Sequence, residues 1–138
     1  MRRPWTQLYV HLVWSTWKRA PLLTPDVQER VYRIIHHQAS SLGADVIAIG
    51  GVEDHVHVLL RFPPKIGLSE LVQRMKGASS HFVTHVMRSQ NPFKWQGAYG
   101  AFTLTKRAVP HVRDYVLNQE RHHRSGTLYR DLERTDMQ

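Results

Sequence analysis

The segment His55-Val56-His57-Val58-Leu59-Leu60-Arg61-Phe62 constrains the fold of this chain more than any other. Side chains on a strand alternate between faces, so Val56, Val58, Leu60 and Phe62 share one side and His55, His57, Leu59 and Arg61 the other. A strand with one wholly apolar face needs that face covered. The pattern predicts a sheet with helices packed on one side, and it directs His55 and His57 away from the core onto the open face. Residues 44–52 are apolar and β-branched enough for a preceding strand, and Glu53-Asp54 makes the tight connection of a hairpin. Pro63 and Pro64 end the histidine strand.

The remaining elements follow from periodicity. Residues 6–16 alternate around Leu8, Val10, Leu12 and Trp14, giving a first strand. Thr24-Pro25-Asp26 is a helix start, after which Val27, Val31, Ile34, Ile35 and Leu42 recur at helical spacing until Gly43. Ser69 opens a second helix with Leu71, Met75, Phe82 and Val86 on one face. Residues 98–105 form a fourth strand, and Pro110 sits in the first turn of a last helix reaching about His123. The order β-α-β-β-α-β-α predicts an α+β fold. Its first six elements match the ferredoxin-like arrangement, an antiparallel sheet with both helices on one face, with a C-terminal helix appended.

With 138 residues, the chain is expected to form one domain over 1–138. No apolar run approaches a membrane span, and no apolar block follows Met1–Trp5 as in a secretory signal, so a cytoplasmic protein is expected. The absence of cysteine excludes disulfides and thiolate metal sites. Nineteen Lys and Arg against eleven Asp and Glu give a net charge of +8, spread along the chain, and nucleic acid is the leading polyanionic partner.

Two imidazoles at i and i+2 on one strand face can converge on a single cation, and neutral imidazole suits several divalent metals. With ten histidines, roughly 0.7 His-x-His triplets arise by chance, so placement rather than spacing gives His55 and His57 their weight. A His-x-His-x-His hydrolase pattern fails at Leu59, and no His-Glu-x-x-His occurs. In the last helix, Val109, Val112 and Val116 form an apolar stripe, with Tyr115 and Gln119 stacked four apart at its edge. A phenol can link covalently to phosphorus, but its ordinary pKa of about 10 means that it needs help at neutral pH. A cation on the phosphate offers that help, and the Gln119 carbonyl could be a third ligand.

Taken together, His55-Val56-His57 and Tyr115-Val-Leu-Asn-Gln119 resemble the single-tyrosine HUH transposases of the insertion-sequence-200 type, to which the REP-associated tyrosine transposases are close. The resemblance spans almost the whole chain. It includes Gly51–Leu60, Leu68–Gly77, Trp95–Phe102 and Tyr115–His123. It implies a transposase that cuts and rejoins single-stranded DNA bearing imperfect hairpins, through a 5′-phosphotyrosine and a free 3′-hydroxyl. It further implies Tyr115 as nucleophile, His55, His57 and Gln119 as ligands of Mg2+ or Mn2+, and no nucleotide cofactor. A homodimer with active sites shared between subunits is implied as well. One departure is Glu53, where many relatives carry Pro.

For DNA contacts, Arg61, Arg74, Lys76, Lys106 and Arg107 are candidates, and Trp5, Trp14, Trp17 and Trp95 could stack on bases or pack internally. His36, His37, His81 and His85 are assigned to solvated helix faces, and His111, His122 and His123 to the surface of the last helix. Two alternatives stand beside the transposase. One is a domesticated nuclease that processes chromosomal repeats with the same chemistry. The other is a non-catalytic single-strand-binding module on the same scaffold, which would need aromatic residues on its open sheet face. The third strand offers none there.

Overall fold

The computed structural model describes residues 2, 4–90 and 92–136. The leader reading at Met1 and Arg3 therefore lies outside the described residues. Four antiparallel strands, β1 (Tyr9–Ser15), β2 (Asp45–Val52), β3 (His55–Arg61) and β4 (Gly100–Leu104), form one sheet in the order β2-β3-β1-β4. The helices are α1 (Pro25–Ser41), α2 (Leu68–His81), α3 (Val109–Leu117) and α4 (Gln119–Ser125). This is the expected ferredoxin-like βαββαβ order with a C-terminal helical extension.

The main core lies where the alternation placed it. Val56, Val58 and Leu60 of β3 and Val10, Leu12 and Trp14 of β1 pack against Val27, Val31, Ile35 and Ala39 of α1 and Leu71, Val72 and Met75 of α2. The second helix departs from its expected course. After His81 the backbone opens into a wide π turn over Phe82–Val86, which buries Val83 and leaves Val86 exposed. The extra residue in such a turn shifts the helical register, so the face drawn through Phe82 and Val86 is not kept.

The other face of the sheet is not open. A second cluster, Ala48, Leu59, Val112 and Val116, joins it to α3, with Ile47, Leu104 and Val109 around it. Two glycines permit this cover. A Cβ at Gly50 would overlap the Val116 carbonyl oxygen, and one at Gly100 would overlap that of Arg134. Both positions need a residue without a side chain because backbone passes directly over them. His55 and His57 point away from the helix layer as alternation requires, yet they are 1% and 0% exposed.

The last helix is also not continuous. Asn118, at φ −113° and ψ 33°, breaks it between α3 and α4. The Asn118 side chain donates to the Asp114 carbonyl at 2.7 Å, and its N–H donates to the carbonyls of Asp114 and Tyr115. Local bonding of this kind competes with the helical ladder. The Gln119 amide still reaches the Tyr115 carbonyl at 2.9 Å, so the two residues remain joined across the break.

Candidate active site

The hairpin β2–β3 delivers His55 and His57 side by side, with ring centroids 5.0 Å apart. Each ring is held by its Nδ1. Asp54 Oδ1 lies 2.7 Å from His55 Nδ1, and His11 Nε2 on β1 lies 2.8 Å from His57 Nδ1. Both Nε2 atoms then face a common point. Glu133, from the C-terminal segment, lies there with Oε1 3.1 Å from His55 Nε2 and Oε2 3.0 Å from His57 Nε2. The contact to His57 lacks hydrogen-bond geometry, leaving His57 Nε2 a buried ring nitrogen without a hydrogen-bond partner among the described residues.

α3 and α4 add the rest. Tyr115 donates its phenolic proton to Glu133 Oε2 at 2.6 Å and accepts the Tyr129 N–H at 3.2 Å. Its ring stacks on Tyr129, 4.4 Å between centroids, and meets the His57 ring edge-on at 5.9 Å. Tyr115 was expected at a boundary with solvent, but it is 1% exposed because Tyr129 and Glu133 close over it. One turn along α4, His123 Nε2 lies 3.2 Å from both His55 Nε2 and Gln119 Oε1. His122 is buried against Tyr115. Neither His122 nor His123 is the free surface residue expected, because the break at Asn118 and the C-terminal segment fold them inward.

The electrostatics follow from this enclosure. Burial pushes His57 down, and it pushes His11 down to about 3 with help from the neighbouring His57 charge. Burial also opposes charge on His55, but the hydrogen bonds to Asp54 and Glu133 outweigh it and hold the ring above its ordinary range. Glu133 is held well below the usual carboxylate range: burial works against its charge, and the adjoining His55 and His57 rings and the Tyr115 hydrogen bond override it. Tyr115 is pushed up by burial and by Glu133.

The donor set fits a divalent cation. His55, His57 and Glu133 offer ligand atoms within 4.8 Å of one another. Asp54 and His11 contact the Nδ1 atoms, an outer arrangement that turns both Nε2 atoms inward. Mixed imidazole and carboxylate donors suit several first-row divalent ions without selecting one. Gln119 Oε1 and His123 Nε2 lie beside this group. Of these residues, sequence reasoning missed Glu133, His123 and His11. His123 follows Gln119 by four, the spacing that had linked Gln119 to Tyr115. His11 alternates onto the same sheet face as Val13 and Ser15, which pair with His57 and His55.

The basic residues named as DNA contacts are placed unequally. Arg61 donates to Asp45 at 3.0 Å, and Arg74 lies 4.0 Å from Glu70. Lys76 donates to the carbonyls of Gln96 and Ala98, and so ties down a loop. Lys106 and Arg107 stand exposed on the turn before α3. Trp14 and Trp95 are a core pair packed edge-on, whereas Trp5 and Trp17 are exposed.

The chain is similar to known proteins in sequence and in fold. ISDra2 transposase TnpA of Deinococcus radiodurans is 27% identical over 118 residues, covering 82% of this chain and 84% of its own length. The crystal structure of a candidate transposase from Deinococcus radiodurans R1 superposes with a TM-score of 0.67 at 26% identity, over 86% of this chain and 95% of that one. A REP-associated tyrosine transposase bound to a REP hairpin shares the fold, with a TM-score of 0.63 at 16% identity, over 93% of this chain and 74% of its own. The sequence profile of IS200-like transposases matches residues 5–119. That match stops at Gln119, short of His123 and Glu133. It takes in the histidine strand and the tyrosine helix, and this chain belongs to the IS200-like transposase family.

Proposed function

We propose that this transposase cuts and rejoins hairpin-bearing single-stranded DNA, with Tyr115 as nucleophile and His55, His57 and Gln119 as cation ligands, assisted by Glu133. The carrying observation is that one carboxylate, Glu133, contacts the tyrosine hydroxyl and both histidines. The nucleophile and the ligand nitrogens thus share one pocket within a single chain.

A bound Mg2+ or Mn2+ would offset charge on the scissile phosphate and align it. The chain's own groups do the rest. Tyr115 Oη attacks phosphorus, its proton passing to Glu133 Oε2, the acceptor already 2.6 Å away. A bond forms between phosphorus and the tyrosine oxygen as the bond to the 3′ oxygen breaks, and that oxygen leaves as a hydroxyl on receiving the proton that Glu133 took from Tyr115. The phosphotyrosine conserves the energy of the broken linkage, so an incoming 3′-hydroxyl reverses it without a nucleotide cofactor. Burial of Tyr115 and His57 keeps bulk water from competing.

We assign residues 1–138 to one transposase domain that acts on chromosomal DNA in the cytoplasm, working as a homodimer. Hairpin DNA is the inferred substrate, and the hairpin-bound transposase of the same fold supports that choice. The test incubates the protein with Mn2+ and single-stranded DNA from the flanks of its own gene, then separates products on a denaturing gel. Wild type yields a covalent protein–DNA adduct, and Tyr115→Phe yields none while still binding DNA. An adduct with Tyr115→Phe, or undiminished cleavage in chelator, overturns the reading.

A further inference from the structure

β1 ends at Ser15, directly across from His55, and the next residues form a hook that is unusually well fastened. Thr16 is buried; its N–H donates to the Asp54 carbonyl at 2.9 Å and its hydroxyl to the Ala20 carbonyl at 2.6 Å. Trp17 N–H donates to the Lys94 carbonyl, Lys18 N–H to Gln96 Oε1, and Arg19 N–H to the Thr16 carbonyl. Between these anchors Lys18 and Arg19 adopt φ of 54° and 57°. Residues with a Cβ disfavour that conformation, and two in succession persist only where the surroundings fix them.

The hook presents three consecutive exposed side chains, Trp17, Lys18 and Arg19. Trp17 is 40% exposed although the core beside it holds Trp14 and Trp95. The Lys94 ammonium lies 4.0 Å from the Trp17 ring centroid and that of Lys18 lies 5.9 Å away. A cleft of about 400 Å³ beside this hook is lined by Ser15, Lys18, Arg19, Gln96, Glu133 and residues 134–136. Glu133 is the residue bonded to Tyr115, so the cleft leads into the candidate active site. Arg19 also acts electrostatically on Asp54, the carboxylate that holds His55.

We propose that Trp17, Lys18, Arg19 and Lys94 form a subsite for the unpaired DNA strand that leads to the scissile phosphate, with a base stacked on Trp17 and its phosphates among the three cations. An exposed indole with Lys94 and Lys18 beside its ring suits a single strand, because only unpaired bases offer a free π-face while the backbone supplies the negative charge. Paired DNA offers Trp17 no free π-face and so does not engage this subsite. The proposal rests on the strand-cleavage reading only for where the strand goes next.

The test is fluorescence anisotropy of the full chain in EDTA, using a labelled DNA hairpin with and without an unpaired five-nucleotide flank on either side. In wild type, one flank tightens binding. Trp17→Leu and Lys94→Ala each lose on the order of tenfold on the flanked hairpin and bind the blunt hairpin as wild type does, whereas Trp17→Phe keeps most of the gain. Replacing Lys18 and Arg19 together with Ala lowers the salt dependence of flanked binding by roughly two phosphates' worth. Equal losses on blunt and flanked DNA, or an unchanged flank gain in Trp17→Leu and Lys94→Ala, overturn the subsite. Covalent adduct formation is scored separately. An adduct without a Trp17-dependent flank gain defeats this inference alone, and a flank gain without an adduct defeats only the cleavage reading.

Discussion

The imidazoles of His11 and His57 lie face to face, 5.0 Å between centroids and 7° from parallel, and are joined by an Nε2···Nδ1 contact of 2.8 Å. Only one proton can sit between them. If it belongs to His57 Nδ1, then His57 Nε2 carries a lone pair toward Glu133 and the cation pocket. His11 then accepts through Nε2 and keeps its own proton on Nδ1, a buried atom without a hydrogen-bond partner among the described residues. On that proton placement His11 is a positioning residue that sets the tautomer of His57. His11→Phe, which keeps an aromatic ring there and removes the acceptor, should weaken Mn2+ binding about 10- to 100-fold in calorimetric titration of folded protein. His11→Gln, which can accept again, should recover part of it. Wild-type affinity in His11→Phe would refute the assignment.

The contact between Glu133 and the histidine pair makes the stability of the metal-free protein depend on pH from both sides. Glu133 is held low, so its contribution is present above the ordinary carboxylate value of 4.5 and fades as pH falls toward its folded value. His55 is held high, so its contribution is present below the ordinary 6.5 and is lost as pH rises through its folded value. The docked C-terminal segment is therefore most stable between these limits. In EDTA, the difference in melting temperature between wild type and Glu133→Gln should peak in that window and shrink on either side. A difference curve flat from acid to alkaline pH would rule out this linkage.

The fold was legible where one face of an element settles its partner. Alternation in residues 55–62 and the spacing of Val27, Val31 and Ile35 placed the sheet and its helix layer, because both patterns report directly on the main core. The second face was not legible. Its cover comes from α3 and from residues near 133, and a short apolar stripe such as Val112 and Val116 does not say which surface it meets. The same limit governs the candidate site. His55, His57, Tyr115 and Gln119 carry local spacing that chemistry can interpret, and the structure brings them together. Glu133 carries none, since it reaches the site only through the path of a segment 76 residues beyond His57. Gly100 held a sign of that path and Gly50 a sign of α3's, because each marks a place where backbone crosses backbone.

Gly50 supplies a direct test of that crossing. Its missing side chain lets the Val116 carbonyl lie on β2, and Val116 follows Tyr115. Gly50→Ala must push α3 off the sheet, at a cost of about 1–3 kcal/mol by analogy with overpacked cores. Urea denaturation reads that loss. Because α3 carries the tyrosine, the same substitution should slow adduct formation in a native assay more than it changes Mn2+ affinity, which depends on β3. A variant as stable and as active as wild type would mean that α3 does not lie on Gly50 in solution.

Gln119 and His123 stand side by side next to His55. Gln119 Oε1 and His123 Nε2 are 3.2 Å apart, and His123 Nε2 stands 3.2 Å from His55 Nε2, so both donors border the same side of the histidine pair. His57→Ala removes a central donor and should lower Mn2+ affinity by about 100-fold or more, at the upper end of ligand-shell effects. Gln119→Ala and His123→Ala should each cost less, on the order of threefold to tenfold, because the remaining partner can take the vacated place. The double variant should then lose clearly more than the product of the two single losses, the non-additivity expected of residues that substitute for each other. Calorimetric Mn2+ titration of the four proteins in this cycle decides the matter. Losses that simply multiply would assign Gln119 and His123 to separate positions.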